Sequence, residues 1–409
     1  MSDIIEPVVF NELPIDKNFS EAEEPNPAPF EFAGAIVKSI EWKNRGIRRS
    51  RLPIIIPDAN NKQLKEFKDR YSDCFEYAEE GKSEWEKILR MRHWLHTAVV
   101  GTLDNALFSR PYDDGENPSP FKMFETAGAG KGWWCPHFSS MLNLLFMAGG
   151  WASRKVGNCS LPNDEDGTRT HGVTDVFVNE IGKWVQMDAH FDIHYCKDGV
   201  PLSPGEIGQA FFENGGEGVE RFVGLEENLK TENVLGTASG EHESQRAYWN
   251  RHVLDNNFLK STGTWGIETM FQFIESRHEG KLCSQGRAEK QIVHSGYSKG
   301  VFHHTKRKWD VYPDVGTCRI EISKGIENKG FVQVNIGHCT PNFDTVLISI
   351  NGKREVPIDN SFKWWLHEGE NEMTVRTKNL FGRLGHPSTM KVVLTKNIDG
   401  DYSKPQSEW

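Results

Sequence analysis

The sequence predicts an α+β fold that is followed by an all-β domain. The segments "SEWEKILRMRHWLHTAVV" and "CPHFSSMLNLLFMAGG" repeat apolar residues at helical spacing. The later segment "HGVTDVFVNEIGKWVQMDAHFDIHY" contains runs of strand-forming residues that are separated by turn residues. After residue 315, seven short apolar segments are separated by Gly, Asn and Asp, a pattern that favours a β-sandwich.

The length of the chain, 409 residues, favours two or three domains. We expect an N-terminal extended lead with a small strand pair over residues 1–59, where "AIVKSIEW" and "RLPIII" supply the strands. A mixed α+β domain is expected over 60–310 and the β-sandwich over 315–397. The junction near 313–316 is expected to be sensitive to proteases.

Composition narrows the partners that the protein is expected to have. A net charge of −10 and a pI of about 5.9 argue against a nucleic-acid partner, since no basic surface is indicated. The sequence contains no run of 18 apolar residues, so no membrane span is expected. The N-terminus lacks the pattern of a signal peptide, which predicts a cytoplasmic protein or a secreted one whose signal has been removed.

The cysteines do not follow the spacing of a disulfide framework or a structural zinc site. Their number is odd, seven, and no two stand in a CxxC arrangement. We therefore expect neither a metal nor another cofactor.

Cys135 is the first candidate for chemistry. Pro136 suits the first turn of a helix because its ring fixes φ and lacks an N–H. A thiol at the start of that helix faces unpaired backbone N–H groups and the positive end of the dipole, which favour the thiolate. The alternative is that Cys135 is a small buried filler.

His171 and Asp188 are the next candidates, because the predicted hairpin brings them together. If the loop is Asn179–Gly182, Asp188 lies opposite Val173, and Val173 shares a strand face with His171. A three-residue loop would reverse this parity. Together with Cys135 these residues could form a triad: cysteine attacks, histidine carries the proton, and aspartate orients the imidazole.

These segments, "GWWCPHFSSMLNLLFMAGG" and "THGVTDVFVNEIGKWVQMDAHFD", resemble the transglutaminase-like superfamily over roughly residues 80–210. The resemblance implies a papain/transglutaminase-like core, in which a helix bearing Cys135 packs on an antiparallel sheet bearing His171 and Asp188. It also implies acyl transfer or amide hydrolysis through a covalent thioester. The C-terminal sandwich is expected to be Ig-like.

Two departures from the family pattern leave the substrate open. Val173 stands where the family has an aromatic neighbour of the histidine, and Ala189 stands where it has proline. The superfamily includes cross-linking transferases, proteases, amidases, peptide N-glycanases and carbohydrate-active members. A protein, peptide or polysaccharide substrate is therefore expected.

Further residues are candidates for binding the substrate. Trp133 and Trp134 flank the nucleophile and form either a substrate wall or part of the core. His190, Asp192 and His194 are two residues apart, which predicts one face of a strand. That cluster could line the substrate cleft, hold a divalent metal or be structural. We interpret His190 and His194 as substrate-binding residues without a metal.

A second function of a different class uses the same residues. A polysaccharide lyase or glycosidase could employ His171 and the cluster at His190, Asp192 and His194 for acid/base chemistry. The 13 tryptophans and the C-terminal β-sandwich favour this alternative, in which Cys135 would be incidental.

Overall fold

A computed structural model describes most of the predicted core. The residues described are 31–32, 35–42, 47–48, 56–100, 120–126, 135–159, 170–207, 210, 217–225, 268–271, 283–285, 291–295, 298–303, 312–324 and 331–395. Helices combine with mainly antiparallel sheets, and the C-terminal region is rich in strands. The fold is therefore α+β, as the sequence predicts.

Five helices precede the main run of strands, and a further short helical segment follows β7 at residues 204–207. The five helices are α1 (Lys62–Arg70), α2 (Ser72–Glu79), α3 (Glu84–Val100), α4 (Pro120–Thr126) and α5 (Cys135–Ala148). None of them is long and apolar enough to cross a membrane. Asn61 caps α1 by accepting from the N–H of Leu64 at 3.1 Å, and Ser83 accepts from the N–H of Glu86 at the start of α3.

The described structure also contains nineteen strands. The strands before the C-terminal region are β1 (Glu31–Phe32), β2 (Ala35–Trp42), β3 (Ser153–Cys159), β4 (Thr170–Val178), β5 (Lys183–Met187), β6 (Ile193–Lys197), β7 (Val200–Pro201), β8 (Val219–Val223), β9 (Glu268–Phe271), β10 (Cys283–Gln285), β11 (Gln291–Ser295) and β12 (Ser298–His303). Those of the C-terminal region are β13 (Cys318–Lys324), β14 (Phe331–His338), β15 (Phe343–Ile350), β16 (Val356–Ile358), β17 (Ser361–Trp365), β18 (Gly369–Asn379) and β19 (Ser388–Leu394).

Contacts divide the described residues into two compact units. The first unit contains the described residues of Ser50–Val178 and Trp184–Tyr312. The second unit contains the described residues of Ser20–Arg49, Asn179–Lys183 and Pro313–Trp409. In the first, a seven-stranded sheet has the order β11-β12-β10-β9-β3-β4-β5, and β7-β6-β8 form a smaller sheet.

Helix α5 lies in the core of the first unit. Its residues from His137 to Met147 are all buried, including the predicted apolar stripe from Phe138 to Phe146. A helix that is covered on every side is a core element rather than an amphipathic surface helix. The helix ends as predicted at glycine, since Gly150 has φ 91° and the N–H of Trp151 bonds the carbonyl of Phe146 at 2.9 Å.

The second unit is a β-sandwich. Sheet β13-β14-β17 and sheet β1-β2-β19-β18-β15-β16 share one apolar core, to which Ile320 and Val334 contribute from the first sheet and Ile348 and Val375 from the second. All seven strands expected after residue 315 are present. Strand β18 alternates between buried and partly exposed residues, as a strand packed on one face should.

The N-terminal strands differ from the expected separate pair. The segment "AIVKSIEW" forms β2, which pairs with the short β1 but also adds to the sandwich beside β19. Much of "RLPIII" lies outside the described residues. The strand therefore completes a sheet whose other members follow some 300 residues later, a pairing that local patterns do not reveal.

The junction of the units is not an exposed linker. The first unit ends at Tyr312 and the second resumes at Pro313, but residues 313–316 are buried. The guanidinium of Arg48 donates to both carboxylate oxygens of Asp314, at 3.0 and 2.8 Å. Cleavage at this point is therefore not expected in the folded protein.

Candidate active site

Two buried hydrogen bonds join helix α5 to the neighbouring strands β3 and β4. Thr174 Oγ1 donates to the carbonyl of Ser139 at 2.9 Å. Ser153, which pairs with Val176 of β4, donates to Asn143 Oδ1 at 2.6 Å. Along the axis of α5, Ser139 and Asn143 are about 6 Å apart. Along β4, the matching positions 174 and 176 are about 6.6 Å apart. Helix and strand therefore run in the same direction at nearly the same rate.

The same alignment brings Cys135 to the beginning of β4. Cys135 stands four residues before Ser139, a step of about 6 Å, and the matching step along the strand leads from Thr174 to Gly172. Gly172 is the neighbour of His171. The main chain of Cys135 therefore lies level with the start of β4, where His171 stands. Their side chains lie outside the described part of the structure.

The parity predicted for the hairpin is supported by contacts among its neighbours. The rings of Trp184 and Phe177 meet at 5.7 Å, and the Arg154 guanidinium lies 4.2 Å from the Trp184 ring while it pairs with Asp175 at 2.9 Å. These positions of β4 and β5 therefore share one face. Alternation along β5 extends that face to Asp188, whereas Thr174, which contacts α5, lies on the opposite face of β4.

The loop between the strands has the expected length. Strand β4 ends at Val178 and β5 begins at Lys183, with the N–H of Gly182 bonded to the carbonyl of Asn179 at 3.2 Å. Gly182 takes φ 64°, which a glycine adopts without strain. The loop is thus the one on which the parity of His171 and Asp188 depends.

Asp188 lies at the end of β5 and is 1% exposed. Its Oδ1 accepts from the N–H of His190 at 2.9 Å and from that of Phe191 at 3.3 Å. Its main chain exchanges two hydrogen bonds with Ile193, at 3.0 and 2.9 Å. The carboxylate is therefore held in a fixed orientation by the turn that it closes.

A stack of aromatic rings connects this turn to the start of α5. The His190 ring lies 4.9 Å from that of Phe138 and 4.5 Å from that of Phe191, nearly parallel to both. Phe138 follows Cys135 by three residues, and His190 follows Asp188 by two. Independent contacts thus bring the neighbourhoods of all three predicted triad residues to one end of the sheet.

The expected single strand "HFDIHY" is interrupted by a turn. Strand β6 begins at Ile193, and Asp192 takes a left-handed φ of 55°. A residue in this conformation breaks the alternation of an extended chain. His190, Asp192 and His194 therefore do not share one strand face, which corrects that expectation.

Asp192 belongs instead to a buried ion-pair cluster with α3. The fully buried Arg92 donates from Nε to Asp192 Oδ1 at 2.8 Å and from Nη2 to the carbonyl of Gly224 at 2.6 Å. His93 Nδ1 bonds Asp192 Oδ2 at 2.6 Å. Burial would raise the pKa of Asp192, but the charge of Arg92 and the bond from His93 hold it below its usual value.

His194 completes this cluster, and its ring is covered on both sides. It is 4% exposed, stacks on Phe222 at 5.2 Å and meets the edge of Trp85 at 5.1 Å. Its Nδ1 accepts from Arg92 Nη1 at 2.8 Å, so the neutral ring carries its proton on Nε2. Burial and the Arg92 charge hold the pKa of His194 well below its ordinary value. This geometry favours a structural role over contact with a substrate.

Three points remain about the site: the predicted tryptophan wall, a possible metal site, and residues that were not predicted. Trp133 and Trp134 lie outside the described residues. The described residues contain no group of three or more His, Cys, Asp or Glu that could hold a metal. Sequence reasoning missed Arg92 and His93, although polar residues within an otherwise apolar helical segment were a visible signal.

No protein-family model matches the chain, and a search of curated proteins finds no match. The functional interpretation therefore depends on the residues and on their geometry.

Proposed function

We propose that the protein is a cysteine-dependent hydrolase or acyltransferase whose first unit is a transglutaminase-like core. Cys135 is the nucleophile, His171 the base and Asp188 the group that orients the imidazole. The observation that carries the proposal is the alignment of α5 with β4, which brings the main chain of Cys135 level with the start of the strand bearing His171.

The first half of the reaction forms a thioester. His171 takes the proton of the Cys135 thiol, and the sulfur attacks the carbonyl carbon of the substrate to form a C–S bond. Backbone N–H groups at the start of α5 can stabilise the negative oxygen that develops. The intermediate collapses when the bond to the leaving group breaks, and His171 returns the proton to that group.

The second half releases the product. Water or an amine attacks the thioester carbon while His171 takes the proton of the attacking group. The C–S bond then breaks, and His171 returns that proton to the Cys135 sulfur. Water yields an acid by hydrolysis, and an amine yields a new amide by transfer. In both halves Asp188 stabilises the imidazolium, and the backbone bonds to its Oδ1 keep it in place.

Substrate contacts in this proposal come from residues beside the triad. Trp133 and Trp134 precede the nucleophile and supply an apolar wall. His190 stacks on Phe138, so it lies at the boundary between α5 and the turn after Asp188.

The geometry of Asp192 and His194 does not support the alternative function as a polysaccharide lyase or glycosidase. Both oxygens of Asp192 are engaged by Arg92 and His93, and His194 is buried against aromatic rings. These groups hold the turn, so they are poor candidates for acid/base work on a sugar.

An activated ester tests the proposal without knowledge of the natural substrate. Incubation with 4-nitrophenyl acetate should release nitrophenolate and leave an acetyl group on Cys135, located by peptide mapping. Cys135→Ala should abolish both results and His171→Asn should slow them by roughly 10³-fold. Cys339→Ser, which changes a partly exposed cysteine of the second unit, serves as the matched control and should behave as wild type.

The opposite result would identify the alternative. Acetylation that is equally fast in Cys135→Ala would contradict the thioester mechanism. Cleavage of polysaccharides by the same variant would assign the protein to carbohydrate chemistry.

A further inference from the structure

Arg221 is a buried arginine that the triad chemistry does not directly use. It lies in β8 opposite Tyr195 of β6 and is 4% exposed. Its Nε, Nη1 and Nη2 make no hydrogen bond to any residue that the structure describes. A buried guanidinium without hydrogen bonds is costly, so its presence points to a long-range electrostatic role.

The strand register places Arg221 on the side of Asp188. Asp188 forms an antiparallel bridge with Ile193, and Ile193 shares a face of β6 with Tyr195 because side chains alternate. Tyr195 is the cross-strand partner of Arg221. Burial lowers the pKa of Arg221, whereas its electrostatic interactions with Tyr195 and Asp188 act in the opposite direction.

We propose that Arg221 is a positioning residue that keeps Asp188 in its carboxylate form throughout the reaction. The inference rests on the proposed function, since it assigns a role to the acid of the triad. Burial favours the neutral form of a carboxylic acid, and a nearby cation opposes this effect. An ionised Asp188 is needed when the His171 imidazolium forms.

Other titratable and charged groups surround Asp188 and its turn. Among the described side chains they are His96 and Arg92 of α3, His190 and Asp192 of the turn, and Tyr195 of β6. The charge of Arg92 is balanced by Asp192 at 2.8 Å. Burial raises the pKa of Tyr195, so its hydroxyl is neutral. Arg221 thus supplies a permanent positive charge that no carboxylate within 4 Å neutralises in the described residues.

The test follows the alkylation of Cys135 by iodoacetamide as a function of pH, because this readout requires no substrate. Without the positive charge of Arg221, Asp188 should take up a proton at a higher pH. In Arg221→Met, the pH below which alkylation slows should therefore rise by about one unit, and below that pH the alkylation rate should be roughly tenfold lower than in wild type. Arg221→Lys keeps the charge and should retain the wild-type profile. Arg90→Met, which removes an arginine of α3 that pairs with the exposed Glu80, is the matched control and should have no effect.

Stability provides a second readout that separates this role from a structural one. Because Arg221 makes no hydrogen bond in the described residues, Arg221→Met should unfold at a denaturant concentration no lower than that of wild type. A structural role predicts a lower midpoint with an unchanged pH profile. Loss of the folded state in Arg221→Met would also overturn the inference.

The remaining outcomes distinguish the inference from the proposed function. If wild-type Cys135 reacts like an ordinary thiol, the proposed function fails. If wild-type Cys135 is activated and Arg221→Met has the same profile, the inference about Arg221 alone is overturned. A shift in Arg221→Lys equal to that in Arg221→Met would likewise overturn it, since the charge would not be the cause.

Discussion

Replacing Asp192 with asparagine removes the negative charge from the buried cluster that ties α3 to the turn after Asp188. Asparagine has nearly the same shape and tolerates the left-handed φ of 55° at this position. An oxygen remains to accept from Arg92 Nε. The substitution therefore isolates the effect of charge from the effects of packing and backbone strain.

The structure sets the size of the expected loss. The side chains of Arg92 and Asp192 are 0% and 4% exposed, so solvent does not screen the pair. Removing one member of such a pair leaves a buried uncompensated charge, which costs about 3–5 kcal/mol. We expect Asp192→Asn to lower the free energy of unfolding by this amount.

Urea unfolding followed by tryptophan fluorescence measures the loss. Glu80→Gln is the matched control. Glu80 pairs at 2.8 Å with Arg90, which lies on the same helix as Arg92, but the side chain of Glu80 is 64% exposed. An exposed pair of this kind is worth about 0–1 kcal/mol. If Asp192→Asn cost no more than Glu80→Gln, the account of the buried cluster would be refuted.

Three further substitutions test the site and its supports. Asp188→Asn keeps an oxygen for the turn but removes the charge, so turnover through Cys135 should fall roughly 10²–10⁴-fold while the thermal midpoint moves by about a few degrees. His194 is held neutral by burial and by Arg92, so between its low folded pKa and about 6.5 only the unfolded chain takes up the proton. Stability should therefore fall as the pH drops below about 6.5, and less so in His194→Asn, as urea titrations at two pH values would show. Thr174→Val should cost about 1 kcal/mol and slow the alkylation of Cys135, and Thr174→Ser should restore both.

Each of these predictions has a clear contrary result. An Asp188→Asn enzyme with an unchanged rate would mean that the hairpin does not bring Asp188 to His171. An equal loss of stability at low pH in wild type and His194→Asn would show that another group titrates. Full stability and reactivity in Thr174→Val would argue against the alignment of α5 with β4.

Local patterns were sufficient to predict several elements of the structure. The apolar spacing after Cys135 and the glycines at its end specify α5, because helix periodicity and a left-handed stop are both local properties. The hairpin loop Asn179–Gly182 follows from turn residues between strand formers. The strands after residue 315 were predicted for the same reason.

Contacts between distant residues were beyond the reach of such patterns. Arg92 and Asp192 are 100 residues apart, and nothing in the periodicity of α3 indicates a partner in a later turn. The left-handed conformation of Asp192 moves it out of the expected strand face, and tertiary packing rather than propensity selects that conformation. Arg221 was missed because β8 was not predicted as a strand.

The pH dependence of Cys135 alkylation in wild type and in His171→Asn tests the triad most directly. An unperturbed thiol reacts with a midpoint near pH 8.5, whereas a cysteine paired with histidine at a helix start forms its thiolate at about pH 7 or below. Cys74, Cys196 and Cys318 are buried, and peptide mapping separates their labelling from that of Cys135. We predict a midpoint well below about 8.5 in wild type that rises in His171→Asn. A midpoint near about 8.5 in both proteins would contradict the assignment of Cys135 and His171 as a catalytic pair.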